Sequence, residues 1–478
     1  MESKIKKRRL VNIETKTFIS VLAMLFALIV LSIVLTYVLP KGEFGTKVVD
    51  GETVADYQVY NKLENESGIN IFKGVFSPFL ILGTSDGLSL IMLSLFLVVI
   101  SGAFQAMNDC LGIKVFVNRI IRRFQHRKFL LLSVIALMFM AFGSLLGLFE
   151  EMLTLLPIVA ILTVSLGFDS FTGFLVSIVA VGFGFSSAIT NPFTVIFASN
   201  LIGVNPLANV WYRIIIFIVT YAILELFIFI YTKRLQKNPK KSMTYERDQE
   251  IKDEIFAVED IKNEKKIFVT YLVFFMVSLA VTILCSSLDA LRDYTVVALI
   301  AVFLFGGFIC SLIATDGSFK ETGKSFLKGV LAALPSVIFI LMASSIKYIL
   351  VEGKILPTIA SSINNAITSS NPYAVAFIIF VIVLVLEFFI SSSTAKAIFV
   401  MSILSVLTLG LTKEMQVLIY TFADGYTNLL FPTSPVLLIG LSMIGVSYFK
   451  WLKKSWWLFI IIFAMALGFI ALGIAINF

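Results

Sequence analysis

The chain has 478 residues, 59% of them hydrophobic and 14% charged, with a mean hydropathy of +0.98. Soluble domains carry about a quarter of their residues as Asp, Glu, Lys and Arg, so a soluble enzyme, with or without a single anchor, is excluded, and one histidine leaves little room for metal chemistry. The formal charge of +8 has to be judged by where it falls along the chain.

Helical spans need about 20 apolar residues. The basic opening, Lys4 to Arg9, leads into an apolar run at 17–39 that is too long for a signal peptide and lacks its cleavage site, which predicts an uncleaved first span. A polar, acidic stretch follows at 40–72, then a span at 86–107 and a basic, amphipathic segment at 111–128 holding His126. Residues 129–168 form two apolar arms around a polar centre, Gly147-Leu148-Phe149-Glu150-Glu151. Residues 170–203 form a span broken at Ser186-Ser187-Ala188-Ile189-Thr190-Asn191-Pro192. A span at 209–232, a Lys- and Glu-rich linker or solvated helix at 233–266 and spans at 267–287, 294–314 and 328–350 come next. A second armed segment at 373–411 centres on Ser391-Ser392-Ser393-Thr394 and Lys396, a second broken span covers 415–448, and 455–476 is the last span.

If each broken span crosses once and each armed segment returns to its own side, 28 of the 38 Lys and Arg fall in loops on one side and seven on the other. The positive-inside rule then places the N-terminus in the cytoplasm and the C-terminus outside. The net charge is an orientation signal, and no nucleic-acid partner is needed. Cys110, Cys285 and Cys310 are too scattered for a disulfide framework or a zinc site.

Shifting the chain by 240 residues places Pro192 on Pro432, Phe149 on Phe389, and each armed segment and broken span on its counterpart. The fold expected is an all-α polytopic membrane protein of two inverted repeats, each with a re-entrant hairpin and a broken transmembrane helix, an arrangement of transporters. Its units are 1–85 (first span and external segment), 86–232 (first repeat), 233–266 (cytoplasmic linker), 267–327 (two connecting spans) and 328–478 (second repeat).

Charged and polar residues at membrane depth need a partner or a water-filled cavity, and mark function. Glu150 and Glu151 are expected to face a cationic ligand or coupling ion. Pro192 frees carbonyls near Ser187, which with Asn191 and Thr427 form a possible sodium site. Ser392, Ser393 and Thr394 offer hydroxyls and backbone N–H groups to a carboxylate. Lys396 either supplements that pocket, takes the place of a coupling cation or pairs with a buried carboxylate such as Glu387. The second break, Asp424-Gly425-Tyr426-Thr427-Asn428 and then Pro432-Thr433-Ser434-Pro435, adds a carboxylate able to bind sodium or a proton.

These clusters resemble the YfcC/DcuC-type family of bacterial carriers for anaerobic dicarboxylate or basic amino acid transport: Glu150-Glu151, Thr190 to Phe193, and Asp424 to Asn428 followed by Pro432-Thr433-Ser434. The resemblance runs from about residue 70 onward. It implies two re-entrant hairpins, a scaffold domain, a homodimer and elevator-type movement. In sodium-coupled dicarboxylate relatives, Ser-Asn-Thr motifs at the hairpin tips hold substrate and sodium. The acidic first tip of this chain departs from that pattern and points to an amino acid, basic such as arginine or ornithine, with a four-carbon dicarboxylate as the alternative. The expectation is a secondary active transporter, symporter or exchanger, in the bacterial inner membrane. Substrate binding falls to Glu150, Glu151, Thr190, Asn191, Ser392, Ser393, Thr394, Asp424, Asn428 and Thr433. Ion coupling falls to Ser187, Asn191, Asp424, Thr427 and Lys396, with sodium or a proton as the ion. Neither a nucleophile elbow nor a His-Glu-x-x-His helix is present, which argues against an enzyme.

Overall fold

The computed structural model describes residues 15–49, 52–64, 66–84, 87–113, 127–256, 263–288, 294–359, 371–390, 393–404 and 410–478, with a few single positions between them. Most of these residues are helical. We number the principal helices α1 (Thr15–Val38), α2 (Gly87–Asp109), α3 (Lys128–Leu146), α4 (Leu156–Ser165), α5 (Ser170–Ser186), α6 (Pro192–Ile202), α7 (Val210–Lys237) and α8 (Tyr245–Phe256). They continue as α9 (Glu264–Ser287), α10 (Val296–Ala314), α11 (Phe319–Glu352), α12 (Pro372–Phe389), α13 (Ser393–Leu404), α14 (Lys413–Thr427), α15 (Pro435–Met443) and α16 (Tyr448–Ala475).

Among the described residues, seven helices are long and apolar enough to span a membrane. At 1.5 Å per residue, the 28 residues of α7 reach about 42 Å and the 34 of α11 about 51 Å, more than a hydrocarbon core of about 30 Å. Side chains start several of them by binding the first orphan N–H groups: Asp169 for α5, Ser318 for α11, Asn371 for α12, Thr412 for α14 and Ser447 for α16. The seven long enough to span are α2, α3, α7, α10, α11, α12 and α16: five of the spans expected from the sequence are among them, α1 counts as a shorter apolar helix and α9 is not included, whereas α3 and α12, expected as hairpin arms, are each long enough to span.

One expectation needs correction. The fold is not purely helical, because Lys41–Val49 (β1) and Glu52–Leu63 (β2) pair as an antiparallel ribbon with an irregularity at Phe44/Gly45. Val49 pairs with Glu52, and the Asp50-Gly51 between them in sequence is a strong signature of a tight hairpin turn. Alternating Thr, Val and Tyr suit the pleat better than a helix. The linker also differs from a solvated segment. α7 runs on to Lys237, and α8 is tied down through Asp248, which is buried and accepts from Ser170 Oγ at 2.6 Å and Thr244 Oγ1 at 2.5 Å.

Hydrogen bonds gather the loops into two groups. In the first, Lys128 Nζ donates to Leu166 O at 2.6 Å, closing α3 and α4 on each other, while Asp169 accepts from Tyr231 and Ser242. Arg247 lies against Gly445 in the same group. In the second, Gly42 N donates to Lys354 O at 3.0 Å, Lys413 Nζ to Ile202 O at 2.9 Å, and Thr412 Oγ1 to Phe478 O. Phe44, Leu356, Leu411 and Phe478 pack together there. Thus α5–α6 leads from the first group to the second, α14–α15 leads back, and α7 and α16 also run oppositely. α11 lies along α2 and α1.

Candidate functional site

The first break is held by the end of α3. After Ser186 the backbone leaves the helix, and its orphaned groups are taken by Ser144: Ser144 Oγ donates to Ser187 O and accepts from Ile189 N, both at 3.0 Å, and Ser144 O accepts from Ile189 N and Thr190 N. Thr190 Oγ1 donates to Leu145 O at 3.2 Å. Asn191 is fully buried and uses both ends of its amide, accepting from Phe193 N and Thr194 N as the cap of α6 and donating to Gly143 O. Gly147, at φ +70°, turns the chain out of α3, and a Cβ there would stand 2.6 Å from Asn191 Oδ1. A glycine is therefore required on both counts. The turn delivers Phe149, Glu150 and Glu151. Glu151 is 8% exposed and its Oε2 has no hydrogen-bond partner among the described residues, while Glu150 is exposed.

The second break is held by α16. Trp451 Nε1 donates to Leu429 O at 2.9 Å and Tyr448 OH to Leu430 O at 2.8 Å. Thr427 Oγ1 and Asn428 Nδ2 bond back to the carbonyls of Ala423 and Asp424. Gly425 brings the two broken helices into contact, since a Cβ on it would lie 2.3 Å from Ser186 Cα.

At the second tip, α12 ends at Phe389 and α13 starts at Ser393. Lys396 is completely buried. Its Nζ lies 2.7 Å from Asp424 Oδ1, contacts Glu387 Oε2 and donates to Ile390 O at 3.1 Å. Ser393 Oγ donates to Asp424 Oδ2 at 2.9 Å, and Tyr420 OH donates to Ser393 O. Of the three roles open to Lys396, pairing with buried carboxylates is the one the geometry contains.

Both tips and the second break meet at a cavity of about 340 Å³. Its polar wall consists of Glu150, Glu151, Ser393, Asn428, Thr433 and Ser434, with Ser344 and Lys347 added from α11. Phe149, Phe185, Phe193, Phe388 and Phe389 supply most of its aromatic surface, beside aliphatic residues that include Leu90 and Leu93 of α2. Of the other expected residues, Asp424 lies behind this wall, one hydrogen bond away through Ser393, and Lys396 lies behind Asp424. Ser187, Thr190, Asn191 and Thr427 do not line it and bond to backbone instead. Ser391 and Ser392 lie outside the described residues, as does the side chain of Thr394. Sequence reasoning missed Ser144, Tyr420, Ser344 and the cavity-facing place of Lys347. Only Tyr420 left a signal, one helical turn before Asp424.

The family model for DcuC, the C4-dicarboxylate anaerobic carrier, matches residues 18–475. An Escherichia coli K12 protein, YfcC, whose name provisionally assigns it basic amino acid antiport, is 26% identical over 93% of this chain and 94% of its own. An uncharacterized protein of Haemophilus influenzae is 21% identical over 92% of this chain and 94% of its own. Among solved structures, the Neisseria gonorrhoeae antimetabolite efflux pump MtrF matches with a TM-score of 0.45 at 14% identity, covering 94% of each chain. The YdaH transporter of Alcanivorax borkumensis gives 0.41 at 14% identity, covering 97% of this chain and 99% of its own.

Proposed function

From the fact that this chain belongs to the DcuC family, and is therefore a membrane transporter and not an enzyme, we infer that it carries amino acids, basic ones by preference, by secondary active transport across the bacterial inner membrane. The observation that carries this reading is Glu151: a buried carboxylate on the cavity wall whose Oε2 has no hydrogen-bond partner among the described residues. A buried polar group is costly until it is paired, and an ammonium or guanidinium donor arriving in the cavity would pair it, with Glu150 beside it as a second acceptor. Ser393, Thr433 and Asn428 on the facing wall then receive the α-carboxylate and α-amino groups. The volume suits a ligand of amino-acid size.

A four-carbon dicarboxylate is the second reading. It is favoured by the family's description and by Lys347 on the same wall, which offers one cation to a carboxylate group.

Transport requires the site to face each side in turn, with substrate affinity differing between the two states. The architecture proposed for this is a pair of inverted repeats, 86–232 and 328–478, each with a re-entrant hairpin (129–168 and 373–411). The opposite running of α5–α6 and α14–α15, and the closure of α3 on α4 by Lys128, support it. The hairpins and broken helices move as an elevator against α1, α2, α10 and α11 in a homodimer, with the N-terminus cytoplasmic and the C-terminus external.

Uptake by the purified protein in liposomes tests the substrate. Arginine, ornithine, lysine, neutral amino acids, succinate and fumarate are compared, with Asp424→Asn as control. Saturable uptake of a basic amino acid, lost in the variant, is expected. Uptake of succinate or fumarate alone would establish the second reading and sink the first.

A further inference from the structure

We propose that Lys396 is the built-in cation of this carrier, and that Glu387, Lys396 and Asp424 together exchange a proton, so that coupling runs on protons and needs no sodium. The proposal rests on the reading of the chain as a secondary transporter, but not on the identity of its substrate.

Three elements converge at the triad. Lys396, from α13, places its ammonium against Asp424 of α14, Glu387 of α12 and the carbonyl of Ile390. An ammonium has three protons to donate; here Asp424 and Ile390 O accept two of them, and Glu387 Oε2 meets the same nitrogen as an ion pair. Two carboxylates and a carbonyl beside a helix break are also what a sodium ion would ask for. A sodium ion cannot share that space with the ammonium, because like charges at such separations repel strongly away from water. The oxygens around Ser187, Asn191 and Thr427 include no carboxylate, and their side chains already bond to backbone.

The charges do not balance. Two carboxylates face one ammonium, and all three side chains are at most 3% exposed. An uncompensated charge in such a place is costly, and a proton on one carboxylate removes it. Asp424 accepts from Lys396 and from Ser393 at 2.9 Å. Glu387 Oε2 meets Lys396 and accepts no hydrogen bond among the described residues, so Glu387 takes the proton. Among the described residues, α16, packed on α12 and α14, carries its lysines, Lys450, Lys453 and Lys454, in its first two turns. α6, packed on α13, has no ionisable residue. Of β2, Tyr60 bonds to Thr358 and Lys62 is exposed. Lys347, Glu150 and Glu151 lie at the cavity.

Ser393 connects this store to the substrate, for its hydroxyl lies on the cavity wall and bonds Asp424. A substrate that draws this hydroxyl away leaves Asp424 dependent on Lys396, pulls the ammonium from Glu387 and makes protonation of Glu387 more favourable. The proton comes from the water facing the open cavity and is released to the other side after the site has crossed.

The test needs no substrate. The melting temperature of the purified full-length protein is measured from mildly acidic to mildly alkaline pH, in sodium chloride and in choline chloride. Wild type should melt alike in both salts and shift with pH, and Glu387→Gln should lose most of that shift. Lys396→Met should gain a sodium-dependent upward shift, because it exposes two carboxylates to a small cation. Sodium-specific stabilisation of wild type would overturn the proposal. So would a Glu387→Gln pH profile identical to wild type, which keeps the test decisive if Lys396→Met does not fold.

Discussion

Replacing Gly425 by Ala should destabilise the protein and abolish transport, although alanine is the better helix former. The added methyl would sit 2.3 Å from both N and Cα of Ser186 and 2.7 Å from the carbonyl carbon of Phe185. Carbon atoms rest about 3.5–4.0 Å apart, so α14 would have to retreat from α5 by more than about 1 Å. All three obstructing atoms are backbone, and no rotamer change relieves them. Inserting one methylene into a packed site costs about 1–3 kcal/mol, against a helix-propensity gain of at most about 1 kcal/mol. The net sign is unfavourable. The same retreat carries Asp424 away from Ser393 and Lys396, so the transport rate should fall further than stability alone explains. Gly323→Ala in α11 is the matched control: nothing lies within 4 Å of its Cβ position, and only the propensity gain remains. Unfolding in mixed micelles and uptake into liposomes read the two quantities. If Gly425→Ala matched Gly323→Ala in both, the crossing of the two broken helices would be wrong.

Glu151→Gln should raise the KM for arginine about 10- to 100-fold, the worth of one charged hydrogen bond, without lowering the melting temperature, since Oε2 has no protein partner to lose; an unchanged KM would remove the argument for a basic substrate. Ser144→Ala strips a donor from Ser187 O and an acceptor from Ile189 N and should cost about 1–3 kcal/mol, read by the same unfolding assay. Burial pushes the Asp248 carboxyl up from 3.8 to about 6, with Asp169 adding to the rise. Because the folded value is the higher one, the docking of α8 is strongest below 3.8 and weakens as pH rises through about 6. Hydrogen exchange of residues 245–256, corrected for intrinsic rate, should quicken across that window in wild type and stay flat in Asp248→Asn.

Much of the architecture was legible because the bilayer imposes length and apolarity on every span, and the polar interruptions at Asn191-Pro192 and Asp424 to Pro435 break a pattern that has few other breaks. Register with solvent loops is less constrained, so the β1–β2 ribbon was passed over despite Asp50-Gly51. The site was legible as a set of residue types but not as a division of labour. Asn191 looks the same in sequence whether it meets a ligand or caps α6, and only its bonds to Gly143, Phe193 and Thr194 decide. Ser344 and Lys347 belong to an unbroken span, and the cavity they line is made by elements far away in the chain.

The carboxylates at the first tip and those behind the second, Glu387 of α12 and Asp424 of α14, stand in opposite circumstances, and this suggests why both sets are acidic. Glu150 and Glu151 stand at the cavity, so a diffusible cationic ligand can neutralise them and their state differs between loaded and empty carrier. Glu387 and Asp424 lie behind the wall with an ammonium that is tethered to α13 and cannot leave. A ligand confined to the cavity cannot replace that ammonium, and only a proton is small enough to change the charge there without displacing it. One tip then reports the substrate and the other the proton, and Ser393, shared by cavity and triad, is the place where the two can be made to depend on each other. Ser393→Ala should therefore leave pH-dependent melting in place but detach it from substrate. Arginine would shift the pH profile of wild type and leave that of the variant where it was, and an equal shift in both would remove Ser393 from the coupling route.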